Sequence, residues 1–178
     1  MLLELLTPHL QVPSVLEIQV PLLQQHGVTG LLVDVDCTLK DYYADRFREE
    51  IVDWVRTVTG SRVPICLLSN GRDRRIRLLA AYLDLPHVAG AAKPFTWGLR
   101  RGIGKLGLEP HQVGVIGDQV FADVLAGRLA GLFTILVRPT TTQEPWITHI
   151  KRPLERWVLK KIASRNSRGR SGAGEHEA

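Results

Sequence analysis

"LLVDVDCTLK", residues 31–40, is an apolar run of strand length that ends on two carboxylates, Asp34 and Asp36. Burying even one of them without a partner is costly in a low-dielectric interior. Either a cation stands against these groups or the run is not a buried strand, and the neighbouring runs bear on which.

"VPICLLSNG" (63–71), "VGVIGD" (113–118) and "FTILV" (133–137) are likewise short apolar runs with β-branched residues, and "PHVAG" (86–90) is a weaker fifth. Between them lie helical patterns. Residues 44–60 carry Phe47, Ile51, Trp54, Val55 and Val58 at helical spacing, and similar segments cover 73–85, 95–108 and 119–131, the last ending at Gly131. Strand alternating with helix predicts an α/β fold, a three-layer, Rossmann-like parallel sheet with helices on both faces. Right-handed crossovers bring the carboxyl ends of all the strands to one edge, where open α/β sheets bind ligands. Asp34 and Asp36, Ser69 and Asn70, and Asp118 all fall there, and Lys93 follows the weak strand. Three acidic groups converging with one lysine call for a divalent cation, and hard oxygen ligands beside phosphate suit magnesium.

Four ordered motifs, "DVDCT" (34–38), "LLSN" (67–70), "AKP" (92–94) and "GDQVFAD" (117–123), resemble those of the haloacid dehalogenase (HAD) superfamily of aspartate-nucleophile phosphatases. Singly, each residue also suits a strand end, a turn or a helix cap; their order on successive strand ends carries the reading. The resemblance implies Mg2+ chemistry in which Asp34 attacks phosphorus to form an aspartyl-phosphate while magnesium and Lys93 neutralise the phosphoryl oxygens. Asp36 is then the general acid and base, with its backbone carbonyl on the metal. Ser69 binds a phosphoryl oxygen with help from Asn70, Thr38 holds the turn and orients Asp34, Asp118 joins Asp34 as a metal ligand, and Asp123 supports the metal or Lys93. Pro94 restricts the backbone of Lys93 and so the direction of its side chain.

Within the superfamily the chain resembles the YqeG-type, subclass IIIA phosphatases, a family that includes phosphatidylglycerophosphate phosphatases. The features are a leucine-rich lead-in to "GVTGLLVDVDCTL", the run "LLSNGRDRRIRLLAAYLDLPHV", "AAKPF", "VGVIGDQVFADVLAGRLAGLFTILV" and a basic C-terminal helix. It departs from relatives at Cys37 and Gly71, where asparagine is common. The intervals from Asp36 to Ser69 and from Ser69 to Lys93 hold about one helix each plus ordinary connections, so no cap domain is expected. An uncapped site favours phosphate presented on something large, such as a lipid surface, a protein or a nucleic acid; the resemblance implies phosphatidylglycerophosphate as the specific substrate. A metabolite substrate and a non-catalytic phosphate-binding scaffold are the remaining alternatives.

Two other phosphate chemistries compete. Cys66 and Arg72 have the spacing of cysteine-dependent phosphatases, but Cys66 lies inside an apolar strand, where a thiol stays protonated. A receiver domain also gathers acidic residues and a lysine on a parallel sheet, yet lacks the Asp-x-Asp-x-Thr run and the late Gly-Asp.

At 178 residues, with 44% hydrophobic and 23% charged residues, the chain has the composition of a soluble globular protein of about one domain. Two cysteines suggest neither a disulfide framework nor a zinc site, and no signal peptide or eighteen-residue apolar run is apparent, so a cytoplasmic protein is expected. The net charge of +5 is local: residues 151–170 hold eight basic residues against Glu155, and residues 1–150 are balanced. The expected organisation is a phosphatase domain over 1–149, a basic amphipathic helix over 150–163 and a disordered tail over 164–178. The helix, with Ile150, Leu154, Trp157, Val158 and Ile162 on its apolar side, suits either an anionic membrane surface or packing on the sheet. It has no stacking or recognition-helix signature of a nucleic-acid partner. Arg72, Arg74, Arg75 and Arg77 are open to contact with a second phosphate or lipid headgroups, or to a plain solvated helix face.

Overall fold

A computed structural model describes residues 2–141 and 153–164. In chain order the elements are α1 (Leu2–Leu5), β1 (Leu10–Val12), α2 (Val20–Gln25), β2 (Gly30–Asp34), α3 (Glu49–Gly60), β3 (Ile65–Leu68), α4 (Asp73–Leu83) and β4 (His87–Val88). They continue with α5 (Trp97–Leu106), β5 (Val113–Gly117), α6 (Leu125–Leu129), β6 (Phe133–Val137) and a last helix, α7, over 153–164. The strands form one parallel sheet in the order β1-β6-β5-β2-β3-β4.

Alternate strand residues point to opposite faces, and each face is covered. Leu31, Val33, Ile65, Leu67 and Ile116 pack with Ile51, Trp54, Val55 and Ile76 of α3 and α4. On the other face Leu32, Cys66, Leu68 and Val115 pack with Leu99, Ile103 and Ala126 of α5 and α6. Each fully buried aliphatic side chain contributes about 1.5–3 kcal/mol, so continuous apolar strands are favoured despite the carboxylate at the end of β2. The register sets the height of the site: Asp34 is level with Leu68 of β3, and Val33 with Ile116 of β5, so the loops that begin at Ser69 and Asp118 start beside it.

Only α3 separates β2 from β3, and α4, β4 and α5 separate β3 from β5, so no cap domain interrupts the described chain. The segment expected as one helix over 119–131 begins as a wide π turn, Val120–Val124, before α6. Strand β1, which the leucine-rich lead-in does not announce, lies at the sheet edge beside β6. Helix α7 packs on the domain: Val158 and Ile162 meet Leu6, Val120, Val124 and Leu136. Glu155 is buried with them and accepts the Phe121 N–H at 3.3 Å. Leu154 and Trp157, expected on the apolar side, are instead 53% and 57% exposed. Ile150 and the rest of 142–152 lie outside the described residues, as do residues 165–178 of the tail expected to be disordered from 164, whereas Ser164 is the last residue of α7.

Candidate active site

Asp34 closes β2 and is buried, and the chain turns sharply just after it. Cys37 adopts φ +63°, its N–H donates to the Lys40 carbonyl at 2.7 Å, and the N–H groups of Leu39 and Lys40 return to the Val35 carbonyl at 3.0 and 3.3 Å. Positive φ is uncommon for a side chain other than glycine and is best tolerated by asparagine and aspartate, so the backbone at Cys37 favours those residues over cysteine. Thr38 is carried inward, and its hydroxyl donates 3.1 Å to Oδ1 of Asp118 rather than orienting Asp34.

Lys93 reaches the cluster from the loop after β4, and its Nζ lies 2.5 Å from Oδ1 of Asp34 and 2.5 Å from Oδ1 of Asp123. Its backbone is clasped by Asn70, whose side chain accepts the Lys93 N–H at 2.8 Å and donates to the Lys93 carbonyl at 3.2 Å. Asn70 is thus committed to placing the lysine. The hydroxyl oxygen of buried Ser69 accepts the Gly71 N–H at 2.9 Å, which leaves its own proton free to donate. Asp123 arrives from the π turn and accepts the Gln119 N–H at 3.1 Å. It can lie against the end of β5 only because residue 117 is glycine: a Cβ there would stand 2.1 Å from Cγ of Asp123.

Asp34, Asp118 and Asp123, all buried, can place one carboxylate oxygen each within 4.8 Å of the others. Three carboxylates and one ammonium, all ionised, leave two negative charges uncompensated. Burial pushes the carboxyl of Asp34 well above its ordinary value, the nearby Lys93 pulls it down, and Asp123 and Asp118 push it up again. Burial would lower Lys93, but Asp123 and Asp34 more than offset this and hold it charged. The charge deficit, hard oxygens and enclosure fit a divalent cation.

Asp36 stands apart from this cluster. Arg75 binds both of its oxygens, one at 3.0 Å, and Lys40 Nζ lies 3.3 Å from Oδ1. Lys40, fully buried, also donates to the carbonyls of Asp41 and Tyr42 at 2.7 and 3.2 Å. Both cations were missed as partners of Asp36 at the sequence level; the four-residue spacing to Lys40 was the available signal.

Cys66 faces the second core cluster, where burial pushes its thiol up to about 11, so a thiolate nucleophile is ruled out by its surroundings. A cavity of about 670 Å3 adjoins Asp118, lined among others by Val120, Leu136, Val137, Arg138 and Arg156.

Residues 90–164 match the HAD-hydrolase-like family model. The probable phosphatase YqeG of Bacillus subtilis is 28% identical over 162 residues, which cover 91% of this chain and 94% of that one. Among solved structures, a putative 3-deoxy-D-manno-octulosonate 8-phosphate phosphatase from Vibrio cholerae superposes with a TM-score of 0.53 at 15% identity, covering 75% of this chain and 78% of that one. A putative HAD superfamily (subfamily III A) hydrolase from Legionella pneumophila superposes with a TM-score of 0.52 at 15% identity, covering 67% and 71%. These two share the fold.

Proposed function

We propose that the chain, which is similar to HAD-like hydrolases and to a probable phosphatase, is a magnesium-dependent phosphomonoester hydrolase whose substrate is phosphatidylglycerophosphate, cleaved to phosphatidylglycerol and phosphate. The observation that carries the catalytic part is the buried set of Asp34, Asp118 and Asp123 around a single lysine. Asp34, Asp118 and the backbone carbonyl of Asp36 would hold the ion, which when bound supplies positive charge to the phosphoryl oxygens.

The chain's own groups do the rest. Asp34, oriented by Lys93, attacks phosphorus; the new P–O bond forms as the bond to the leaving oxygen breaks. Asp36 gives its proton to that oxygen and later takes one from the water that opens the aspartyl-phosphate. Ser69 donates its free hydroxyl proton to a phosphoryl oxygen. Asp123 keeps Lys93 charged and in place.

Three features support a lipid substrate. The site has no cap, and an apolar cavity with two arginines adjoins it. The outer face of α7 exposes Leu154 and Trp157 beside Arg156, Lys160 and Lys161, a composition suited to the surface of an anionic bilayer. No helix of the described residues is long and apolar enough to cross a membrane; the attachment proposed from the outer face of α7 is peripheral, at the cytoplasmic face.

The test is phosphate release with magnesium from a panel of phosphorylated lipids, nucleotides and sugars and from an aryl phosphate. Release from the lipid at the highest kcat/KM, lost in Asp34→Asn, is expected. A preference for a nucleotide or sugar would overturn the substrate, and no release from any compound would overturn catalysis in favour of a binding scaffold.

A further inference from the structure

A second cavity, of about 480 Å3, lies between the Ala44–Asp45 turn and the start of α4, and the chemistry above does not use it. Arg72, Arg74 and Arg75 line it, together with Asp45, Leu78 and Leu79. Arg75 connects it to the reaction, because the same guanidinium holds both oxygens of Asp36. One guanidinium thus both lines the cavity and holds the carboxylate to which the proposed mechanism gives the protonation of the leaving oxygen.

Arg72 and Arg74 have charge to spare. Among the described residues no acidic side chain forms an ion pair with either; Asp73, between them, is within ion-pair distance of Arg77 and His87 at 3.9 and 3.8 Å. With Asp45 counted, the three arginines still leave the cavity positive, and Arg75 alone is answered by Asp36. The cluster does not serve the helix, since cations in a first turn stand at the unfavourable end of the macrodipole. Planar guanidiniums converging on one cavity suit bidentate recognition of phosphate or carboxylate.

We propose that this cavity is a subsite for a second anionic group carried on the leaving portion of the substrate, a phosphoryl, phosphodiester or carboxylate group a few atoms from the scissile bond. The proposal rests on the phosphatase reading. It says what the enzyme selects for, whether the second anion comes from a soluble polyol bisphosphate or from a lipid headgroup.

The test compares the full-length protein with Arg72→Ala/Arg74→Ala and with the charge-preserving Arg72→Lys/Arg74→Lys. The substrates are an aryl phosphate, glycerol bisphosphate and a short-chain lipid with a phosphorylated glycerophosphate headgroup, all with magnesium. The alanine pair is expected to lower kcat/KM for both two-anion substrates at least about tenfold relative to the aryl phosphate, mainly through KM, and the lysine pair to recover most of the loss. An unchanged ratio would overturn the subsite, as would a loss confined to the lipid, which would mark contact with the aggregate rather than with the substrate's charge. Calorimetric binding of glycerol bisphosphate against glycerol phosphate reads the subsite without turnover. Equal wild-type affinities for the two would sink it, whereas absent hydrolysis of every phosphate with a retained preference in binding would sink only the catalytic reading.

Discussion

Asp34 and Asp36 are the same residue type two positions apart, yet their surroundings are charged in opposite senses. Around Asp34 three buried carboxylates face one ammonium, a deficit of two positive charges. Around Asp36, whose side chain is 17% exposed, one carboxylate faces a guanidinium and an ammonium, a surplus of one. Period-two alternation would place both on one side, but β2 ends at Asp34 and the turn through Cys37 redirects the chain between them. The first environment attracts a cation and the second tolerates an anion, so a phosphate ester has a place between them. Role here follows from the sign of the local imbalance rather than from residue type.

The largest effects should separate the two aspartates directly. On the proposed mechanism Asp34→Asn forms no covalent intermediate and loses at least about a thousandfold in kcat. Asp36→Asn keeps the nucleophile but lacks the base that activates water, so with an aryl phosphate, whose leaving group needs little protonation, a phosphorylated enzyme should accumulate on Asp34. Acid-quenched mass spectrometry reads both outcomes; a phosphorylated Asp34→Asn protein would break the distinction.

Next in size is Lys93→Met. Removing one partner of a buried charge pair costs about 3–5 kcal/mol, and here it strands Asp34 and Asp123 together. Urea unfolding in chelator should show that loss, with partial recovery on adding magnesium. Lys40→Met should cost less than half as much, since Arg75 still answers Asp36. Gly117→Ala tests the same buried side sterically: its Cβ collides with Asp123, and overpacking of this kind costs about 1–3 kcal/mol.

The buried half of this contrast was legible in the sequence, and the exposed half was not. Four strands are apolar runs of the right length and a fifth is a weaker one, so their ends, and with them Asp34, Ser69 and Asp118, could be assigned to one edge. β1 escaped because a three-residue strand set between Pro8 and Pro13 holds too little pattern to register. Lys40 and Arg75 escaped as partners because a long cationic side chain reads as solvated until the fold shows what it reaches. The expected stripe of α7 was off by part of a turn for a related reason: a buried Glu155 is not anticipated by apolar periodicity, but it meets the Phe121 N–H in the π turn, and that contact accompanies a helix whose Val158 and Ile162 face inward.

The smallest expected effect is the most specific to the metal. In chelated protein Asp34 titrates above its ordinary carboxylate value, so the folded state keeps a proton at pH values where the unfolded chain has lost it. Protons bound in excess by the folded state make stability fall as pH rises, from the ordinary carboxylate range up to the raised value. Lys93, raised in turn, adds stability that is present below the ordinary lysine value and is lost only as pH climbs past its folded value, so it contributes no slope in that window. Magnesium bound among the carboxylates favours their ionised forms and stabilises the fold by mass action. The gain in melting temperature on replacing chelator with magnesium should therefore be larger at pH 8 than at pH 5, by the equivalent of about 1 kcal/mol. An equal gain at both values would place the ion away from Asp34 and remove the imbalance on which the distinction between the two aspartates rests.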